Sequence, residues 1–173
     1  MASSGQRPLH IMGLVVAALV ALAAVSSIGA CDSSTLFGNA PSIDRLISNY
    51  VTHRAQFAAL AHMAPADPHF SLQMTKRGAY LQSEWAQALT QGRIKQYESQ
   101  LRPIGGDSLD SFSDGINITL GSTGLVAGGD TWGYWRATQP PAAVVTLKQA
   151  HASFHDPWCY PLGDGWYVYN FNN

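Results

Sequence analysis

The period of the hydrophobic pattern changes part-way along the chain, and this change constrains the fold more than any other feature. Between Ile43 and Met63 apolar residues recur every three or four positions, as on one face of an amphipathic helix. From Gly115 to Leu120 apolar and polar residues alternate, which is the period of a strand with one buried face. Helices followed by strands favour an α+β fold in which N-terminal helices pack on a small antiparallel sheet.

The remaining segments extend this prediction to both sides of the change. We expect further helix in Ser71–Thr90 and in Arg93–Leu101, which Pro103 and the Gly105-Gly106 pair stop, and a loop over Asp107–Asp114. Val144–His151 fits a strand or a short helix. Strands are expected at Thr131–Thr138, Trp158–Leu162 and Gly165–Phe171, the last two forming a hairpin. The sheet would have about three to five strands, close to the usual size.

The first thirty residues have the organisation of an export signal. A polar segment with one firm positive charge, Arg7, precedes fifteen uncharged residues, Ile11–Val25. A helix of that length spans about 22 Å, which is shorter than the roughly 30 Å hydrocarbon core of a membrane. The segment is therefore more typical of a secretory signal peptide than of a permanent transmembrane helix.

The end of this leader, Ile28-Gly29-Ala30-Cys31, resembles the lipobox of bacterial lipoprotein precursors. The resemblance implies diacylation of the Cys31 thiol, for example with palmitate, and cleavage just before it; a plain secretory signal followed by a chance cysteine is the alternative. We therefore expect a signal peptide over 1–30, a lipidated cysteine and tether over 31–42, and one extracytoplasmic α+β domain over 43–173. Asp32 resembles the signal that retains enteric lipoproteins at the inner membrane, which favours that membrane over the outer one.

Loose motifs in the rest of the chain are similar to those of a group of small uncharacterised proteobacterial lipoproteins. They are Gln91–Tyr97, Gly133-Tyr134, Pro140-Pro141 and Gly165–Tyr169. This resemblance supports the architecture and implies no mechanism.

Composition excludes several classes of protein. The formal net charge of −1 gives no electrostatic reason to expect nucleic acid as a partner. If Cys31 is lipidated, Cys159 has no disulfide partner within the chain. The histidines lack a third ligand at useful spacing, so no metal site and no cofactor are predicted.

Cys159 and His155 are the residues that would serve an envelope hydrolase. A thiolate nucleophile needs a base to take its proton, and His155 lies four residues away. Residues four apart on an extended strand are about 13 Å from one another, so the two side chains could meet only around a turn. The alternative for Cys159 is a buried thiol packed among aromatic rings, which is the usual state of a free cysteine.

Aromatic residues are crowded near the C-terminus, where ten of the eighteen fall between Trp132 and Phe171. Strands favour aromatic residues, but exposed rings also anchor partner surfaces and stack on sugars or peptides. We therefore expect a lipid-anchored, non-catalytic binding or accessory module of the cell envelope that holds a protein or glycan partner. The candidate partner-binding aromatics are Trp132, Tyr134, Trp135, Trp158, Trp166 and Tyr167.

Overall fold

Seven antiparallel strands form one continuous sheet in the computed structural model, which describes residues 40–85, 88–123, 129–153 and 157–172. The strands are β1 Phe70–Thr75, β2 Gly78–Leu81, β3 Ser108–Phe112, β4 Gly115–Ser122, β5 Asp130–Ala137, β6 Trp158–Gly163 and β7 Trp166–Asn172. Their order across the sheet is β2-β1-β3-β4-β5-β7-β6, so neighbouring strands are consecutive in the chain except where β1 meets β3 and β5 meets β7.

Four α-helices accompany the sheet in the described residues: α1 Ile43–Thr52, α2 Arg54–Met63, α3 Gln91–Ile104 and α4 Leu147–Ala152. The Ser42 hydroxyl caps α1 by accepting from the Arg45 backbone N–H, as its place before the apolar stripe predicts. Helix α3 ends at Gly105, which has the left-handed conformation with φ 73°. Pro103 lies inside this helix and does not stop it.

The α+β class with an antiparallel sheet is confirmed, but the predicted order of elements is only partly right. Of the four helices, α1 and α2 precede the sheet, while α3 and α4 lie between strands. The sheet has seven strands rather than three to five. The expected helix over 43–63 is interrupted at His53, whose backbone leaves the helical region with φ −110°.

Two local predictions are wrong because tertiary pairing decides them. Ser71–Thr90 does not form a helix, since it contains most of β1, all of β2 and a short 3₁₀ turn at Ser83–Trp85. Asp107–Asp114 is not a loop, because β3 occupies its centre. β1 lies between β2 and β3 in the sheet, so its partners come from both sides of α3 in the sequence. The strands predicted at β4, β5, β6 and β7 are all present.

The helices cover one face of the sheet. The Phe57 ring of α2 meets Tyr134 of β5 and Trp166 of β7 edge-on, with ring centroids 4.7 and 5.0 Å apart. The Tyr134 hydroxyl donates to the carbonyl oxygen of Leu46 at 2.9 Å and accepts from the Asn49 side chain at 3.0 Å. These contacts fix α1 and α2 on the sheet and identify the helix-covered face.

A cluster of polar side chains holds α3 beside the turn that follows α2. The Asp67 carboxylate accepts from Arg93 Nε at 2.7 Å and also from the Tyr97 hydroxyl. A second guanidinium nitrogen of Arg93 donates to the Met63 carbonyl oxygen at 3.0 Å. Because Asp67 and Arg93 are both largely buried, this ion pair is screened less than an ordinary surface pair.

Candidate functional site

The face of the sheet away from the helices carries a row of polar and aromatic side chains. Strand register places five residues side by side across β1, β3, β4, β5 and β7: Ser71, Asp110, Asn117, Trp135 and Tyr167. Their neighbours in sequence, such as Leu72, Leu109 and Ile118, belong to the helix-covered core. Since successive side chains of a strand point to opposite faces, the row lies on the face of the sheet opposite the helices. We call these five residues, together with Thr119 and Tyr169, the polar–aromatic face.

The polar half of this face presents hydrogen-bond acceptors. The Ser71 hydroxyl, in a residue only 7% exposed, donates to Asp110 Oδ1. Burial raises the pKa of the Asp110 carboxyl, and the hydrogen bond from Ser71 opposes this effect. None of the ion pairs found among the described residues involves Asp110.

Asn117 lies directly opposite Asp110 on the next strand. Its side-chain oxygen, Oδ1, is buried and has no hydrogen-bond partner in the part of the chain that the structure describes. A buried acceptor of this kind costs free energy unless something donates to it. Asp110, which accepts from Ser71, therefore lies beside an amide oxygen that has no donor among the described residues.

Tyr169 links the polar half to the aromatic half. Its hydroxyl lies 3.4 Å from that of Thr119, across β5. The strand between them carries Gly133, where a β-carbon would lie only 2.9 Å from the Tyr169 hydroxyl oxygen. Burial raises the pKa of Tyr169, whereas hydrogen bonding to Thr119 and Asn117 lowers it. A glycine at 133 thus leaves the space through which the phenol reaches the polar groups.

The six aromatics expected to bind a partner divide between the two faces. Tyr134, Trp158 and Trp166 are buried in the helix-covered core. Trp132 is partly buried against that same core. Trp135 and Tyr167 lie on the polar–aromatic face, are partly exposed, and are directly opposite one another on β5 and β7. Those two rings are therefore the ones placed to meet a ligand.

Cys159 is buried and not activated. It is 1% exposed, and burial raises the pKa of its thiol to about 11. At neutral pH only about one thiol in ten thousand would be ionised, whereas a nucleophile needs the thiolate. His155 lies outside the described residues, as do the leader and Cys31. No observation on the described residues supports the hydrolase hypothesis.

Within the described ranges, no three of the residues His, Cys, Asp and Glu come together in a group that could hold a metal ion. None of the helices described is both long and apolar enough to cross a membrane. No family model, curated protein or solved structure matches this chain.

The polar residues of the face were missed at the level of sequence. Their signal was the alternation of β1, where Ser71 and Gln73 separate Phe70, Leu72 and Met74. A similar alternation around Leu109 in β3 places Ser108 and Asp110 on one face. Both stretches are short and neither predicts its partner strand, so the juxtaposition of Asp110 and Asn117 depends on the sheet.

Proposed function

We propose that this chain is a lipid-anchored, extracytoplasmic binding module that holds its ligand on the polar–aromatic face without catalysing a reaction. The supporting observation is the row in which the polar side chains of Asp110 and Asn117 adjoin the partly exposed rings of Trp135 and Tyr167. Functional pockets combine a few convergent polar groups with apolar and aromatic walls in this way.

Anchoring at Cys31 comes from the lipobox resemblance and gives this module its location. Two or three acyl chains hold a protein on a membrane far more firmly than one, at about 0.8 kcal/mol per buried CH₂. A weak binder tethered beside its ligand works at a high local concentration. We propose cleavage before Cys31, and the inner membrane over the outer one.

Mass spectrometry of the natural protein tests the anchor. The expected product begins at Cys31 and carries acyl chains, and the variant Cys31→Ser leaves the membrane fraction or accumulates unprocessed. A wild-type protein with an intact leader or an unmodified Cys31 thiol would overturn the lipid anchor.

Site-specific crosslinking in intact cell envelopes tests the binding face. A photo-reactive amino acid replaces Trp135 in one variant and Val51 in the other; Val51 is 63% exposed on α1, away from the polar–aromatic face. We expect a discrete crosslinked product from position 135 and none from position 51. Equal labelling at both positions, or none at either, would count against binding on this face.

A further inference from the structure

The side-chain oxygen of Asn117 needs a hydrogen-bond donor from the protein itself. This atom, Oδ1, is buried and has no partner among the residues that the structure describes. Solvent does not reach a buried atom, and an acceptor left without a donor destabilises the fold. The donor that completes the site therefore has to come from the side chains around it.

Tyr169 orients the carboxamide of Asn117. Burial raises the pKa of Tyr169, and hydrogen bonds from Thr119 and Asn117 oppose that rise. A hydrogen bond lowers the pKa of a phenol when it donates to the phenol oxygen, and the donor of a carboxamide is its nitrogen. The nitrogen of Asn117 therefore meets Tyr169, which turns Oδ1 away from that ring. On the neighbouring strand β3, the residue directly opposite Asn117 is Asp110.

The hydroxyl groups beside Asn117 are already engaged. The Ser71 hydroxyl donates to Asp110 Oδ1, and the Thr119 hydroxyl lies 3.4 Å from that of Tyr169. The second carboxyl oxygen of Asp110 is left. An ionised carboxylate only accepts hydrogen bonds, whereas a protonated carboxyl has one O–H group that donates. Directly opposite residues of antiparallel strands have β-carbons about 4.5–5.5 Å apart, which is within reach of such a bond.

The charges around Asp110 do not favour its ionised form. The strands contribute no Lys, Arg or His to this face among the described residues. The titratable groups that share the face are the phenols of Tyr80, Tyr167 and Tyr169 and the thiol of Cys159. Tyr169 interacts electrostatically with Asp110. A second half-buried carboxyl, Asp107, immediately precedes β3, and burial raises its pKa.

We propose that Asp110 is a proton switch within the sheet: as pH falls its carboxyl takes up one proton from water and donates it in a hydrogen bond to Asn117 Oδ1. The bond links β3 to β4 while Ser71 links the same carboxyl to β1. When the proton leaves, a carboxylate faces an acceptor oxygen and the link becomes a repulsion. The switch acts on the stability of the sheet and operates whether or not the polar–aromatic face binds a ligand.

The sign of the pH dependence follows from burial. Burial raises the pKa of Asp110 above the ordinary aspartate value, and the hydrogen bond from Ser71 reduces the rise. A carboxyl whose pKa is higher in the folded chain than in the unfolded chain stabilises the fold at low pH. That stabilisation is lost as pH rises through the folded-state pKa.

Carbon-13 NMR of the aspartate carboxyl groups in the purified full chain tests the proton directly, and the signal missing from Asp110→Asn identifies Asp110. We expect Asp110 to titrate above the ordinary aspartate value of about 3.9. In Asn117→Leu the midpoint should move to lower pH by about half a pH unit or more, because the acceptor of the acid proton is gone. Asp107 is the matched control, and its midpoint should not move.

Thermal unfolding of Asp110→Asn gives a second measurement that does not require a change at Asn117. The new amide keeps an oxygen for Ser71 and a permanent N–H donor for Asn117, so it imitates the protonated acid at every pH. We expect the Tm of this variant to equal that of the wild type near pH 4 and to exceed it at pH 8 by roughly 2–4 °C. Circular dichroism shows whether each variant is folded.

Three results would overturn the switch. One is an Asp110 midpoint at or below the ordinary aspartate value. Another is a midpoint that stays or rises in Asn117→Leu, since a rise means that the Asn117 amide donates to a carboxylate. The third is a Tm of Asp110→Asn below that of the wild type at pH 8, which would show that the ionised form stabilises the sheet. The crosslinking test of the binding face is independent of all three.

Discussion

Tyr134→Phe removes one oxygen atom from the junction of the helices and the sheet. That hydroxyl donates to the Leu46 carbonyl oxygen at 2.9 Å and accepts from the Asn49 side chain at 3.0 Å. An intramolecular hydrogen bond contributes about 0.5–1.5 kcal/mol to stability, so two contribute roughly 1–3 kcal/mol. Asn49 keeps its bond to the Ile104 carbonyl oxygen at 3.0 Å, which reduces the expected loss to about 1–2 kcal/mol.

Urea denaturation followed by tryptophan fluorescence measures this loss as a lower midpoint at constant slope. In thermal unfolding, the same change should lower Tm by roughly 2–8 °C for a chain of this size. Tyr80→Phe is the matched control, since it deletes the same atom from a side chain that is 51% exposed on β2. It should change the free energy of unfolding by less than about 0.5 kcal/mol.

Equal midpoints for Tyr134→Phe, Tyr80→Phe and the wild type would refute this account of how the helices are held. Tyr134→Phe should also leave ligand binding unchanged, because position 134 faces the helices. If Tyr134→Phe weakens binding without lowering the free energy of unfolding, Tyr134 contacts the ligand after all.

Three further predictions concern the core, the polar cluster and the buried thiol. Phe57→Ala should destabilise the fold by about 3–5 kcal/mol in urea denaturation, since it empties the site between Tyr134 and Trp166. Arg93→Met should lower the free energy of unfolding by about 2 kcal/mol in the same assay, because it leaves the Asp67 carboxylate short of donors. A decrease below about 0.5 kcal/mol would mean that the ion pair does not stabilise the fold. Burial raises the pKa of the Cys159 thiol to about 11, so the stability that the neutral thiol contributes is complete below pH 9 and is lost as pH rises through 11. Cys159→Ala should therefore remove that part of the alkaline decline in Tm.

The elements that could be predicted from sequence are those with local causes. Ser42 begins α1 and Gly105 ends α3, because a cap acts within one turn of its helix. The β6–β7 hairpin follows from Gly163-Asp164 between two aromatic runs, and Asp164 has φ 54°, as a tight turn requires. Each of these signals lies within a few residues of the structure that it specifies.

The β1–β2 hairpin and β3 could not be predicted in the same way. Short strands are marginal alone and form only when a neighbour supplies hydrogen bonds and cover. β1 obtains these from β3, where Ser111, the partner of Phe70, lies 41 positions later in the chain. The local residue pattern of Ser71–Thr90 contains no information about that partner strand. The pattern alone therefore favoured a helix.

For the candidate site too, one part could be predicted from sequence and another part depends on tertiary packing. Sequence alone identified an aromatic C-terminal region, because ring content is a property of composition. Which rings are free to bind depends on which face of the sheet the helices cover, and that is decided by packing: Tyr134 and Trp166 lie under Phe57, whereas Trp135 and Tyr167 do not.

By itself the sequence determined the α+β class, the helix caps, the last hairpin and the expectation of a lipid-anchored leader, since each of these is encoded in adjacent residues. Only the tertiary structure decided the order of the seven strands and the pairing of Asp110 with Asn117. The physical reason is that backbone hydrogen bonds between strands form in the same way whatever the side chains are. Register is selected by burying one whole face of the sheet at once, and the composition of the opposite face follows from it.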